Sequence, residues 1–223
     1  MTASRGRFAA VVVAGGRGTR FGGETPKQLL DLCGVPVWRR SVDLFLGRPD
    51  VRRTVLVRPA GEAFGDEVEG LVCVTGGESR AASVAAGLTA AGEADFLAVH
   101  DAARPLATSA EIDAVFAAAV EHGAALPGRA VAGTLRRAVR GLATETVDRR
   151  SLFEMQTPQV ARNQWMHDAV FHAATNAGLT DEGEGLMRAG YSVRVVETGP
   201  MNFKITTPAD LELARLVVAG RAS

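Results

Sequence analysis

Residues 8–28 read FAAVVVAGGRGTRFGGETPKQ. The stretch Phe8–Val13 is apolar and rich in β-branched residues, and it stops at paired glycines. That is the pattern of a strand buried on both faces that runs into a tight loop. Such a strand belongs in a parallel sheet covered by helices. The loop sets Arg17, Arg20 and Lys27 beside a backbone of Ala14, Gly15, Gly16 and Gly18. A glycine backbone can approach phosphates closely enough for its N–H groups to bind them. The loop is not the dinucleotide fingerprint, because counting from Gly16 the sixth position is Phe21. It is not a P-loop either, because no Gly-Lys-Ser/Thr follows. Pro26 stiffens the backbone that carries Lys27.

Outward from this stretch, apolar runs alternate with helical spacings. The pattern predicts helices over 37–47, 63–71, 80–91 and 109–121, the last capped by Ser109. Strands are predicted over 54–57, 71–74 and 96–99. This β-α-β-α order gives an α/β fold: a mainly parallel sheet with helices on both faces. The region 124–159 breaks the pattern. Two short alternating runs, AGTLRRAV (132–139) and ATETVDRR (143–150), flank a turn at Arg140-Gly141. They predict a hairpin that leaves the main sheet. Beyond it we expect a helix over 163–176, strands over 193–196 and 203–205, and a closing helix over 208–219. Thr207 would cap that helix, with Pro208 at its first position.

Composition removes several function classes. The 223 residues fit one domain, and a 47% apolar content excludes a disordered chain. Lys+Arg and Asp+Glu are 25 each, so there is no general positive field for nucleic acid and cations must act locally. Cys33 and Cys73 lie far apart in apolar contexts and read as two buried thiols. His167 and His172, at i and i+5, do not share a helix face. No apolar run reaches the ~18 residues of a membrane span, and MTASRGRF has no apolar signal core. A soluble, cytoplasmic protein is expected.

Four further blocks are candidates for chemistry, and three of them also read as structure alone: a glycine turn before an ordinary helix start (74–88), an Asp101–Arg104 ion pair at a strand end (98–106), and a surface arginine beside a proline loop (146–160). In VTGGESRAASVAAGL (74–88), Gly76 and Gly77 end a strand and Ser83 lies near a helix start, where ligand crevices of parallel sheets form. In AVHDAARPL (98–106), Asp101 leaves a strand and can meet a metal ion or a hydroxyl, while Arg104 offers a fork of donors to a phosphate. In TVDRRSLFEMQTPQV (146–160), Arg149 precedes the turn at Thr157-Pro158-Gln159. In NFKITTPADL (202–211), Lys204 sits inside an apolar run and needs an anion to neutralise it.

In order and spacing, these blocks with the opening loop resemble the 2-C-methyl-D-erythritol 4-phosphate cytidylyltransferases of the non-mevalonate isoprenoid pathway, from about residue 10 to residue 219. The resemblance implies a Rossmann-like α/β domain spanning 1–223, with a protruding dimerisation β-arm at about 133–152 that exchanges across a homodimer. It implies CTP and a polyol phosphate as partners and Mg²⁺ as cofactor, held mainly by the CTP phosphates with Asp101 as the candidate protein ligand. Arg20, Lys27 and Lys204 match the family's catalytic cations. Ala14, Gly15, Gly16, Gly18, Gly76, Gly77, Ser83, Asp101 and Ala102 match nucleotide contacts. Asp101, Arg104, Thr134, Arg149 and Thr157 match contacts to the second substrate. The arm strand departs from the family's Pro-Val-x-Asp-Thr-x-Lys: Gly133 stands for the aspartate and Arg136 for the lysine. The TDE block, Thr180-Asp181-Glu182, continues as Gly183-Glu184 where the family commonly has Ala-Ser. The implied reaction is CMP transfer from CTP to methylerythritol phosphate. The alternatives are ribitol 5-phosphate as acceptor, or a nucleotide-binding module without catalysis.

Overall fold

A computed structural model describes residues 7–15, 21, 26–175 and 180–222, with backbone alone for 172–175 and 222. The described elements are β1 (Phe8–Val13), a 3₁₀ turn (Lys27–Leu29), β2 (Asp31–Leu32), β3 (Val35–Pro36), α1 (Val37–Asp43), β4 (Val51–Arg58), β5 (Leu71–Thr75), α2 (Arg80–Ala91), β6 (Phe96–Asp101) and α3 (Ser109–His122). Then follow β7 (Ala124–Ala130), β8 (Leu135–Val139), β9 (Leu142–Val147), β10 (Phe153–Met155), β11 (Gln159–Arg162), α4 (Asn163–Thr175), α5 (Glu182–Arg188), β12 (Arg194–Glu197) and α6 (Pro208–Ala222).

β1 is central and pairs in parallel with β4 on one side and β6 on the other; β4 pairs in parallel with β5. Beyond β6, β11 runs antiparallel between β6 and β7, β10 is antiparallel to β7, and β12 is parallel to it. The chain thus builds outward from β1 through β4 and β5, then returns to the other side of β1 with β6. This reversal of strand order leaves a crevice at the carboxyl ends of β1 and β6.

Side chains alternate across the sheet, so the unbroken apolar run of β1 feeds two cores. Ala10 and Val12 face Phe45, Leu56 and Phe116. Ala9 and Val11 face Val55, Val57, Leu88 and Met166 on the other side. Each large side chain so buried contributes about 1.5–3 kcal/mol. A third cluster of Leu32, Val37, Leu106, Ile205 and Leu211 ties α6 to the loop after β6. Among the described residues no helix is long and apolar enough to cross a membrane.

Four local expectations are corrected. Residues 63–70 form loop and turns, not a helix, because Gly65 and Gly70 take φ of +91° and +77°, and Leu71 already opens β5. Gly65 also packs so closely that an added Cβ would lie 2.9 Å from Leu56. Residues 203–205 form no strand and join no sheet among the described residues; Ile205 N donates to Ala103 O at 2.8 Å while its side chain enters the third cluster. The cap of α3 is Thr108, whose hydroxyl accepts from Glu111 N while the Glu111 carboxylate accepts from Thr108 N, a reciprocal capping box. Cys33 is exposed, because Cys33-Gly34 is the two-residue turn between β2 and β3 with φ of 53° and 80°; Cys73 is half-buried.

The arm is a separate two-stranded antiparallel sheet of β8 and β9, turning at Arg140-Gly141 with φ of 50° and 82°. Its tip exposes Val139 and Leu142, at 54% and 73%.

Candidate active site

The loops after β1, β5 and β6 meet the segment before α6 around a cavity of about 350 Å³. Ala14, Gly15, Lys27, Gly77, Ser83, Asp101, Ala102 and Lys204 line it, so the structure gathers most of the predicted nucleotide and catalytic residues. Gly16, Gly18 and Arg20 lie outside the described residues. Backbone bonds fix the floor: Ala14 N donates to Val57 O (2.8 Å) and Ala102 N to Val13 O (3.0 Å).

Asp101 is the electrostatic centre. Its side chain is 13% exposed, and its Oδ2 accepts from Lys204 Nζ at 2.7 Å. An Arg80 nitrogen lies 3.7 Å from Oδ1 and Arg104 Nε 3.7 Å from Oδ2. Burial pushes the Asp101 pKa up, but the Lys204 ammonium and the two guanidinia outweigh it and hold the carboxyl well below the usual carboxylate range. The anion that Lys204 requires is therefore Asp101 in this state. Lys27 Nζ donates to Ile205 O at 2.9 Å, which links the opening loop to the Lys204 segment.

Beneath the cavity a buried network sets the end of β6. His100 is fully buried, and burial pushes its pKa down to about 4. Arg104 O can only accept, so His100 Nε2 carries the proton and donates to it at 3.1 Å. The neutral ring then accepts at Nδ1 from the Thr157 hydroxyl (3.0 Å), and Thr157 Oγ1 accepts from Asp101 N (3.1 Å). Asn202 Nδ2 donates to Thr157 O at 3.0 Å. Arg104 donates to Asn202 O (2.8 Å) and Met155 O (3.1 Å), and burial lowers its pKa despite Asp101 nearby. Thr157 and Arg104 thus sit behind the cavity wall and hold Asp101.

Gly76 N donates to Arg58 O at 2.7 Å. An added Cβ on Gly76 would come within 2.6 Å of Ser83 Oγ and 3.2 Å of Arg58 O, so a larger residue at this position would force Ser83 to shift. The Ser83 hydroxyl donates to Ser79 O at 2.9 Å and shapes the loop from below. Thr134 and Arg149 are elsewhere: they border a separate depression on the arm with Thr146, Asp148 and Arg150. Arg149 donates to Ala132 O. Within one chain these two residues do not join the cavity.

Sequence reasoning missed Arg80 and Glu182. Arg80 is the first residue of α2, where the helix dipole disfavours a cation. Glu182 compensates with a two-point contact of 2.5 and 2.8 Å. Burial alone would lower the Arg80 pKa; the Glu182 carboxylate outweighs it and holds that pKa up. A cation in the first helical turn with no acidic residue beside it was the signal available. Among the described residues no cluster of three or more His, Cys, Asp or Glu could cage a metal ion.

A model of the family "IspD: 2-C-methyl-D-erythritol 4-phosphate cytidylyltransferase" matches residues 8–220. The "Bifunctional enzyme IspD/IspF" of Rhodospirillum rubrum is 40% identical over 225 residues; the match covers 96% of this chain, which spans only 58% of that relative's length. The "2-C-methyl-D-erythritol 4-phosphate cytidylyltransferase" of Roseobacter denitrificans is 38% identical over 221 residues, covering 96% of this chain and 98% of that protein. The crystal structure of the enzyme so named from Thermus thermophilus is similar with a TM-score of 0.81 at 28% identity, covering 94% of this chain and 98% of that one. Matched along nearly its whole length, in sequence and in fold, the chain belongs to the 2-C-methyl-D-erythritol 4-phosphate cytidylyltransferase (IspD) family.

Proposed function

We propose that this chain transfers CMP from CTP to 2-C-methyl-D-erythritol 4-phosphate, releasing pyrophosphate and forming 4-diphosphocytidyl-2-C-methyl-D-erythritol for isoprenoid precursor synthesis. The observation that carries the reading is a single cavity at the sheet's crevice with Lys27, Arg80 and Lys204 on its wall. An acceptor phosphate oxygen attacks the α-phosphorus in line; a P–O bond forms and the bond to the β-phosphate oxygen breaks. The attacking phosphate is ionised at neutral pH, so the reaction needs no general base. The protein's work is positioning and charge neutralisation. Lys27 and Lys204 offset charge on the phosphoryl oxygens and the departing pyrophosphate. Lys204 exchanges its contact with Asp101 for substrate oxygens. Asp101 then stands as a carboxylate facing the polyphosphate.

The donor set fits Mg²⁺ carried in by the nucleotide, because this ion takes one or two protein carboxylates plus phosphate oxygens. Asp101 is the protein ligand on this reading, and the ion would neutralise triphosphate charge.

A homodimer belongs to the same proposal. Thr134 and Arg149 lie on the arm, apart from the cavity of their own chain. A partner's arm would bring these residues to the acceptor phosphate. We also propose that the chain works as a single nucleotidyltransferase domain in the cytoplasm.

The test is pyrophosphate release from CTP and Mg²⁺ with methylerythritol 4-phosphate and ribitol 5-phosphate assayed side by side. Strong preference for the first acceptor is expected. Preference for the second reassigns the acceptor. Release with neither, while CTP binds, leaves a nucleotide-binding module.

A further inference from the structure

Arg80 has a geometry that a stabilising ion pair does not require. A guanidinium carries five N–H donors. Glu182 takes two of them, at 2.5 and 2.8 Å, and Asp101 lies at 3.7 Å, beyond hydrogen-bond reach. Three donors are left without a protein partner among the described residues. The side chain is 35% exposed and stands on the cavity wall beside Gly77, Ser79 and Lys204.

Glu182 faces the other way. It is 4% exposed, and Arg80 is the group its carboxylate meets. It opens α5, and that end is bolted to the sheet. Asp181 accepts from Glu184 N and from Gln159 Nε2, both at 2.9 Å. Gln159 Oε1 in turn accepts from Gly183 N at 2.9 Å. Gln159 lies on β11 opposite Val99 of β6, the strand that presents Asp101. A rigid line of contacts thus runs from the sheet through Glu182 to Arg80. Without it the α2 dipole and the neighbouring Lys204 and Arg104 would drive the guanidinium out of the cavity.

We infer that Arg80 is a substrate-binding residue for a phosphate group of the nucleoside triphosphate, and that Glu182 is the positioning residue that aims it. This gives the Asp181-Glu182 segment, remote in sequence from the glycine loops, a task in the site. The inference rests on the proposed reading of the cavity as a nucleotide phosphate site, but not on the identity of the acceptor.

The test uses the full chain with Arg80→Ala, Arg80→Lys, Glu182→Gln and the double variant Arg80→Ala/Glu182→Gln. Dissociation constants for CTP come from calorimetry, and melting temperatures are taken on the same samples. Arg80→Ala and Glu182→Gln should each weaken CTP by roughly tenfold or more, as expected for loss of a charge-assisted contact. The double variant should match Arg80→Ala within about twofold, because Glu182 acts only through Arg80. Arg80→Lys keeps the charge but not the two-point grip, so it must weaken CTP even if the Glu182 variants do not fold. Single variants that melt earlier yet bind CTP like the parent overturn the inference and leave a structural ion pair. Additive losses overturn the positioning role of Glu182. If CTP binding falls as expected while no acceptor supports pyrophosphate release, the proposed reaction fails and the inference stands. A parent chain that binds no CTP sinks both.

Discussion

Replacing Asp101 with Asn should lower the melting temperature by roughly 4–12 °C at pH 7. The substitution keeps the shape of the side chain and deletes its charge. In the parent, Lys204 lies 2.7 Å away, with Arg80 and Arg104 nitrogens each at 3.7 Å. Breaking a buried pair by removing one partner costs about 3–5 kcal/mol. Lys204 is 38% exposed and can turn toward water, which brings the cost to about 2–3 kcal/mol. In a chain of this size each kcal/mol corresponds to about 2–4 °C. The pH dependence sharpens the test. The cations hold the Asp101 pKa below its unfolded value. Its contribution is therefore complete above an unfolded pKa of about 3.9 and is lost as pH falls toward the folded value. The gap between parent and variant should stay level from about pH 8 to about pH 5 and close below that. Pyrophosphate without Mg²⁺ should raise the variant's melting temperature more than the parent's, because an anion then supplies the missing negative charge. Scanning calorimetry across that pH range measures all three. A gap under about 1 °C at pH 7, or one that widens on acidification, refutes the assignment of Asp101 as the charge that balances these cations.

Lys27→Ala should cut turnover by about 10²-fold or more, as for other contacts to developing charge. The lost hydrogen bond to Ile205 O contributes about 1 kcal/mol to stability; a folded variant with near-parental turnover counts against the role. If the loop from Gly76 to Ser79 reads the cytosine edge, kcat/KM for CTP should exceed that for UTP by well over tenfold, since a wrong base leaves buried polar groups unpaired. Equal use of the two nucleotides would dismiss base reading there. Mixing Arg149→Ala with Lys27→Ala protein under subunit exchange should restore activity up to about half that of a normal dimer, because one shared site then carries neither defect. Verified exchange with no recovery would mean that the arm does not cross or that Arg149 acts in its own subunit, and would overturn the shared site.

The β1 run and the α2 boundaries were legible in the sequence because periodicity and glycine punctuation are local. Phe8–Val13 reads as a doubly buried strand and Arg80–Ala91 as an alanine-rich helix, and both form; the Ser79 cap that starts the helix was seen only in the structure. The hairpin turn at Arg140-Gly141 was equally local, since its backbone follows from two residues. Local reasoning failed where tertiary contacts outvote propensity. Residues 63–71 have helical composition, but Gly65 is pinned against Leu56, Cys73 and Trp38. The segment with Lys204 and Ile205 has strand composition, but among the described residues it pairs with no strand, and Ile205 N bonds to Ala103 O in the loop after β6 instead. The site divides in the same way. The sequence marked Lys27, Asp101 and Lys204 as charges in loops and apolar runs that need a reason. That Lys204 answers Asp101, that Thr157 and His100 hold the backbone of Asp101, and that Glu182 holds Arg80 are pairings across 56 to 103 positions of chain. A charge can announce in sequence that it needs a partner; only the fold, by bringing distant strand ends to one crevice, chooses which partner it gets.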